Sequence, residues 1–223
     1  MAHQPDERGA LPLRLVGHSP IRVDATAAGP SPSNLAAPAG GPLGAGSSGP
    51  HRPVLLATKL RIPPAYRNVI SRPRLLGQLD QGLRRPLTVT AAPAGFGKTT
   101  LLGDWSRHTG RPTAWVSLDE GDNDPTRFWV YVVAALEQLH PGVGQGALTL
   151  LQSPQPPPMQ AVLTVLINDL AGVAGNLTLI LDDYQLIETP AVHEAVTFFI
   201  DHLPTQLHVV LTTRPEPPPV SYT

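Results

Sequence analysis

Ala92-Pro93-Ala94-Gly95-Phe96-Gly97-Lys98-Thr99 is the stretch on which the fold turns. Its two glycines, lysine and threonine have the spacing of a phosphate-binding P-loop, with Ala92 in place of the first glycine. Phosphate oxygens need several converging donors, and a small-residue loop entering a helix presents backbone N–H groups where the helix dipole favours negative charge. Gly95 and Gly97 permit that backbone path. Lys98 is then the mobile cation for the β- and γ-phosphates, Thr99 supplies a hydroxyl to magnesium, and Thr100 follows as a helix residue at the edge of the binding segment. Ala92 is harmless if its φ is negative and costs about 1 kcal/mol or more if φ is positive. A chance Gly-Lys-Thr turn is the competing reading.

Context argues against chance. Leu87 to Ala91 before the loop is a short apolar strand, and the residues after it form a helix to about His108, with Gly110 as its stop. Upstream, Arg72-Pro73 opens a helix with Leu75, Leu76, Leu79 and Leu83 at spacings of three and four. Downstream, Thr113 to Leu118 is a second strand. Asp124-Pro125 starts a helix that ends near His140-Pro141, with Trp129, Val132, Val133 and Leu136 on one face. Gln152 to Pro158 is irregular, and Met159, Val162, Leu163, Leu166 and Leu170 return to helical spacing. Leu177 to Leu181 reads as a strand covered on both faces; Thr189-Pro190 starts a further helix and Leu207 to Thr212 a last strand. Alternation of this kind predicts an α/β P-loop NTPase domain, a parallel sheet between helices.

Ligands of such sheets collect beyond the carboxyl ends of strands, where Asp182 and Asp183 fall. Asp182 is the candidate for holding magnesium, directly or through water, and Asp183 for polarising water at the γ-phosphate. An ordinary acidic turn is the alternative. At the end of the last strand, Leu211-Thr212-Thr213-Arg214 brings a hydroxyl and a guanidinium to the same rim; Arg214 is either a γ-phosphate sensor or a surface arginine. Trp105, Trp115 and Trp129 fall on helix or strand faces and are expected to pack the core.

The rest of the chain limits the possibilities. Between Ala27 and Pro50 every residue except Asn34, Leu35 and Leu43 is Ala, Gly, Pro or Ser, so residues 1–53 are expected to be a disordered tail. Residues 54–218 are the domain and 219–223 a truncated end. With a net charge of −1 and no cysteine, the 223 residues favour neither a polyanionic partner nor disulfides or thiolate metal sites. No secretory signal or membrane-length apolar run is visible, and a cytoplasmic location is expected.

Taken from Leu56-Ala57-Thr58-Lys59-Leu60 through Ser71-Arg72-Pro73-Arg74-Leu75-Leu76, the P-loop, Ala114-Trp115-Val116-Ser117-Leu118-Asp119-Glu120, Asp122-Asn123-Asp124-Pro125 and Leu181-Asp182-Asp183-Tyr184, the chain resembles the maltose-regulon activators. These are large ATP-binding LuxR-type transcription regulators within the signal-transducing P-loop ATPases, and the likeness covers roughly residues 54 to 218. It implies that ATP with Mg2+ is a switch ligand favouring self-association, that hydrolysis is slow, and that Lys98, Thr99, Asp182, Asp183 and Arg214 hold the matching positions. Arg72 lines the base or ribose edge or simply forms a helix-entry turn. The family's DNA-binding helix-turn-helix is absent, so direct DNA contact is not expected, and the chain looks like a truncated regulator. The acids from Asp119 to Asp124 suggest metal ligands at first sight, but the resemblance implies a characteristic loop following the second strand, with solvated loop acids as the alternative; no role is assigned to them. An ATP-hydrolysing enzyme or kinase, and a fragment that binds nothing, are the rival functions.

Overall fold

The computed structural model describes residues 14–15, 54–64 and 72–214. The expected tail over 1–53 lies outside these residues apart from Arg14–Leu15, as do Ser71 and the segment 215–223. Arg14–Leu15 (β1) pairs antiparallel with Leu87–Ala91 (β2), Arg14 opposite Ala91 and Leu15 opposite Thr90. The sequence gives no sign of this pairing. Its physical reason lies in β2, whose outer edge leaves backbone donors and acceptors open to any extended segment.

The remaining elements are Pro73–Gly82 (α1), Lys98–His108 (α2), Thr113–Ser117 (β3), Pro125–Leu139 (α3), Gln145–Leu151 (α4), Met159–Ala171 (α5), Leu177–Asp182 (β4), Pro190–Asp201 (α6) and Leu207–Thr213 (β5). The sheet order is β1-β2-β5-β4-β3, and the four strands from β2 to β3 are all parallel. The α/β class and parallel sheet follow the expectation. One helix does not: α4 was not anticipated, because Pro141, Gly142 and Gly144 before it and the prolines after it carry the signals of a loop. Gly144, in the left-handed region, is the residue from which α4 starts.

Strands that read as uniformly apolar alternate between two cores. Ile180 of β4, Val210 of β5 and Trp115 of β3 pack with Leu79 of α1 and Leu101, Leu102 and Trp105 of α2. Leu179, Leu181, Val209, Leu211, Ala114 and Val116 face the opposite way, into a larger core built by α3, α5 and α6. Burial on both faces is what allows β4 to be apolar throughout. Trp105, Trp115 and Trp129 are all buried. Pro125 follows Asp124, whose Oδ1 accepts from Arg127 N at 2.7 Å, so α3 begins with the expected cap.

The order also sets the geometry of the site. β5, the last of the described strands, lies between β2 and β4, so the acids at the end of β4 stand one strand away from β2.

Candidate functional site

β2, β5 and β4 run in the same direction and end at one rim of the sheet, each contributing polar groups there. β2 leads into the loop 92–97. Gly95 (φ 80) and Gly97 (φ 74) take the left-handed backbone that side chains disfavour, and Gly97 is the N-cap of α2. Ala92 is buried and is not among the positive-φ residues, so its methyl group brings no backbone penalty. Pro93 and Phe96 form a turn through Phe96 N to Pro93 O at 3.4 Å, leaving Ala94, Gly95 and Phe96 exposed.

Lys98, at the first turn of α2, is buried, and its ammonium donates to Ala92 O at 2.7 Å and Pro93 O at 3.3 Å. Burial pulls its pKa down and Arg214 adds to the effect, while Asp183 and Asp182 pull the other way; the net shift is downward. The Lys98 ammonium thus lies in the combined field of one further cation and two carboxylates. Arg214 itself is exposed, one residue beyond β5.

Asp182 ends β4 in the interior. Its Oδ2 accepts from Thr99 Oγ1 at 2.8 Å and its Oδ1 from Thr212 Oγ1 at 2.6 Å. Burial raises its pKa against the pull of those two hydroxyls. Asp183, next in sequence, is the one non-glycine with positive φ (62) among the described residues. Its N–H donates to Thr212 Oγ1 at 2.8 Å and its Oδ1 accepts from Gln185 Nε2 at 2.8 Å. Thr212 therefore ties both acids to β5, a role the sequence did not single out. Gln185 was missed altogether.

Arg72 precedes α1 and donates from Nη1 to Phe96 O at 3.1 Å, which lays its guanidinium against the outside of the loop. Thr100 is half-buried within α2. Lys98, Thr99, Asp182, Asp183 and Arg214 thus share one rim, with Arg72 on the flank. Among the described residues no group of three His, Asp or Glu side chains forms a metal cage. One carboxylate and one hydroxyl at this rim are oxygen donors of the kind magnesium takes alongside phosphates and waters.

Of the acids after β3, Glu120 and Asp124 are exposed as the solvated alternative expects, and Asp122 departs from it. Asp122 is fully buried, accepting from Lys59 Nζ, Asp119 N at 2.9 Å and Arg127 Nε at 3.2 Å. Lys59 also reaches Asp119 at 3.0 Å and sits 4.3 Å from the Tyr131 ring centroid. Two basic side chains and a backbone N–H take three of the roughly four lone-pair sites of the Asp122 carboxylate, so its charge is already paired within the protein.

No protein-family model matches the chain. Among curated proteins, it is 36% identical over 161 residues to the HTH-type transcriptional regulator MalT of Cronobacter sakazakii, covering 72% of this chain and 18% of that protein. The MalT of Yersinia enterocolitica is 37% identical over 165 residues, 74% of this chain and 18% of the regulator. Over this stretch the chain is homologous to the MalT-type regulators. The MalT of Yersinia pestis gives the same extent, 36% over 164 residues. The chain spans under a fifth of the length of these MalT relatives. No helix among the described residues is long and apolar enough to cross a membrane.

Proposed function

We propose that this domain is the nucleotide-responsive module of a MalT-type transcription regulator, binding Mg-ATP at the rim formed by β2, β5 and β4. The observation that carries the reading is the junction of Thr99, Asp182 and Thr212 beside the buried ammonium of Lys98. The backbone from Ala92 to Gly97 cradles the phosphates, assisted by the N-terminus of α2, and Lys98 leaves its carbonyl partners for the β- and γ-oxygens. Thr99 and Asp182 hold the magnesium ion, which offsets the phosphate charge when bound with the nucleotide. Asp183 and Arg214 face the γ-phosphate end, and Arg72 the side of the loop. ATP then acts as a switch ligand that favours self-association, and turnover stays below ~0.1 per second, far under the ~1 to 100 per second of kinases.

The test is thermal unfolding of the chain with and without Mg-ATP, beside Lys98→Ala. A ligand at a hundred times its Kd stabilises by about 2.7 kcal/mol. A shift in the wild type that disappears in Lys98→Ala is the expected result. Equal shifts in the two proteins, or none in a folded wild type, would remove the nucleotide reading.

A further inference from the structure

The loop Asp119–Asp124 has no part in the function proposed above, yet its polar groups are committed to specific partners. Asp122 faces one way, to Lys59 in the short 3-10 turn Ala57–Leu60 and to Arg127 at the start of α3. Asn123 faces the other way, toward the segment that leaves β4. Its Nδ2 donates to Leu186 O at 2.8 Å and Glu120 O at 3.1 Å. Its Oδ1 accepts from Glu188 N at 2.7 Å, Thr189 N at 3.0 Å and Thr189 Oγ1 at 3.0 Å.

This pattern requires an amide. Carbonyl oxygens on one side demand a donor, and N–H groups on the other demand an acceptor, so the partners also fix which way the amide points. A carboxylate would keep the acceptor side and leave the two carbonyls without their donor.

The position of the pinned segment gives the bonds their meaning. The 3-10 turn Tyr184–Leu186 has Asp183 as its N-cap, held at φ 62. Thr212 fixes the entrance of that turn through Asp183 N, and Asn123 fixes its exit through Leu186, Glu188 and Thr189. A non-glycine residue in the left-handed region persists where the surrounding structure over-determines it. Asn123 is itself anchored, since its neighbour Asp122 is clamped by Lys59 and Arg127. We infer that Asn123 is a positioning residue for Asp183, setting the turn from which that carboxylate addresses the γ-phosphate. The inference rests on the nucleotide reading above and assigns a role to the β3–α3 loop within it.

The experiment compares Kd for Mg-ATP and Mg-ADP, by calorimetry on the 223-residue chain, in wild type, Lys98→Ala, Asn123→Ala and Asn123→Asp. Wild type is expected to prefer Mg-ATP. Asn123→Ala should cut that preference about tenfold while leaving Mg-ADP affinity unchanged, the scale of loss typical when a residue supporting a ligand group is removed. Asn123→Asp keeps the acceptor side and should lose less. If Asn123→Ala does not fold, Asn123→Asp and Thr189→Val measure the same ratio. An unchanged ratio, an equal weakening of both nucleotides, or a wild type that does not distinguish them would overturn the inference while the P-loop reading stands. Failure of the wild type to bind either nucleotide, or undiminished binding by Lys98→Ala, would overturn the nucleotide reading itself and this inference with it.

Discussion

Asp182 carries two opposed demands. As a buried carboxylate it is costly to ionise, and burial raises its pKa; as the partner of Thr99 and Thr212 it is oriented toward the loop by two hydroxyls. A raised folded-state pKa means that the native state binds the proton more tightly than the unfolded chain, so ionised Asp182 lowers stability as pH rises through that pKa. Neutralising it should therefore help the fold and harm the site. Asp182→Asn is expected to raise the stability of the free protein at neutral pH by about 1 kcal/mol and to abolish the magnesium dependence of nucleotide binding, read by denaturant unfolding and by titration with and without Mg2+. A variant that keeps its magnesium dependence would show that the carboxylate does not serve the metal, and a destabilised one that its bonds to Thr99 and Thr212 outweigh the cost of burying it. The sequence exposes this residue because an apolar strand ending in Asp-Asp is a local pattern. Asn123 and Lys59 leave no such trace: their partners lie up to 66 residues away in the chain, and a distant hydrogen bond has no local signature. Gln185 bonds only two residues back, to Asp183, and a single glutamine after the acids makes no recognisable pattern.

Strands and helices were legible where a single period dominates. β2 has the limits expected of it, and α1, α2, α3, α5 and α6 begin where proline, glycine or a capping acid marks the entry. The short α4 was hidden by the glycines that serve it. Gly144 has φ 77, its N–H donates to Asp169 Oδ2 at 3.0 Å, and a Cβ there would lie 2.7 Å from Val133 Cγ1 and 3.1 Å from Leu166 Cδ1. It is at once the entry to α4 and the point where that helix packs against α3 and α5. Val133 is β-branched and buried, so it has little freedom to yield. Gly144→Ala should cost about 2 to 4 kcal/mol, combining left-handed strain with overpacking, as measured by urea unfolding. A loss under about 0.5 kcal/mol, the range of ordinary surface changes, would mean that α4 can shift away from the core without consequence.

At the scale of the molecule β5 connects the two rims of the sheet: Thr212 stands at the candidate-site end and His208 at the other. His208 is buried, and its Nδ1 lies 2.6 Å from Arg85 O. A carbonyl only accepts, so Nδ1 carries the proton and Nε2 presents a lone pair that finds no hydrogen-bond partner among the described residues. Burial lowers the pKa of His208 and Arg111 lowers it further, against the opposing pull of the Arg85 carbonyl. With the folded-state value below the unfolded one, the native protein binds fewer protons than the unfolded chain. The stability this residue contributes is complete above about pH 6.5 and is lost as pH falls from there through the folded-state pKa. Asp182 titrates with the opposite sign, so the comparison is best made in the Asp182→Asn background, with and without His208→Gln. Between pH 7.5 and 5.5 the protein that retains His208 should lose stability more steeply, by at most about 1.4 kcal/mol per pH unit, because a single proton is involved. Parallel curves would mean that His208 accepts its proton in the folded state as readily as in the unfolded chain; a shallower curve for the histidine protein would mean that a partner for Nε2 forms on protonation. The expected outcome would place acid sensitivity at the rim opposite the site, so that a loss of nucleotide binding at low pH would have to be separated from unfolding before it could be assigned to Asp182 or Lys98.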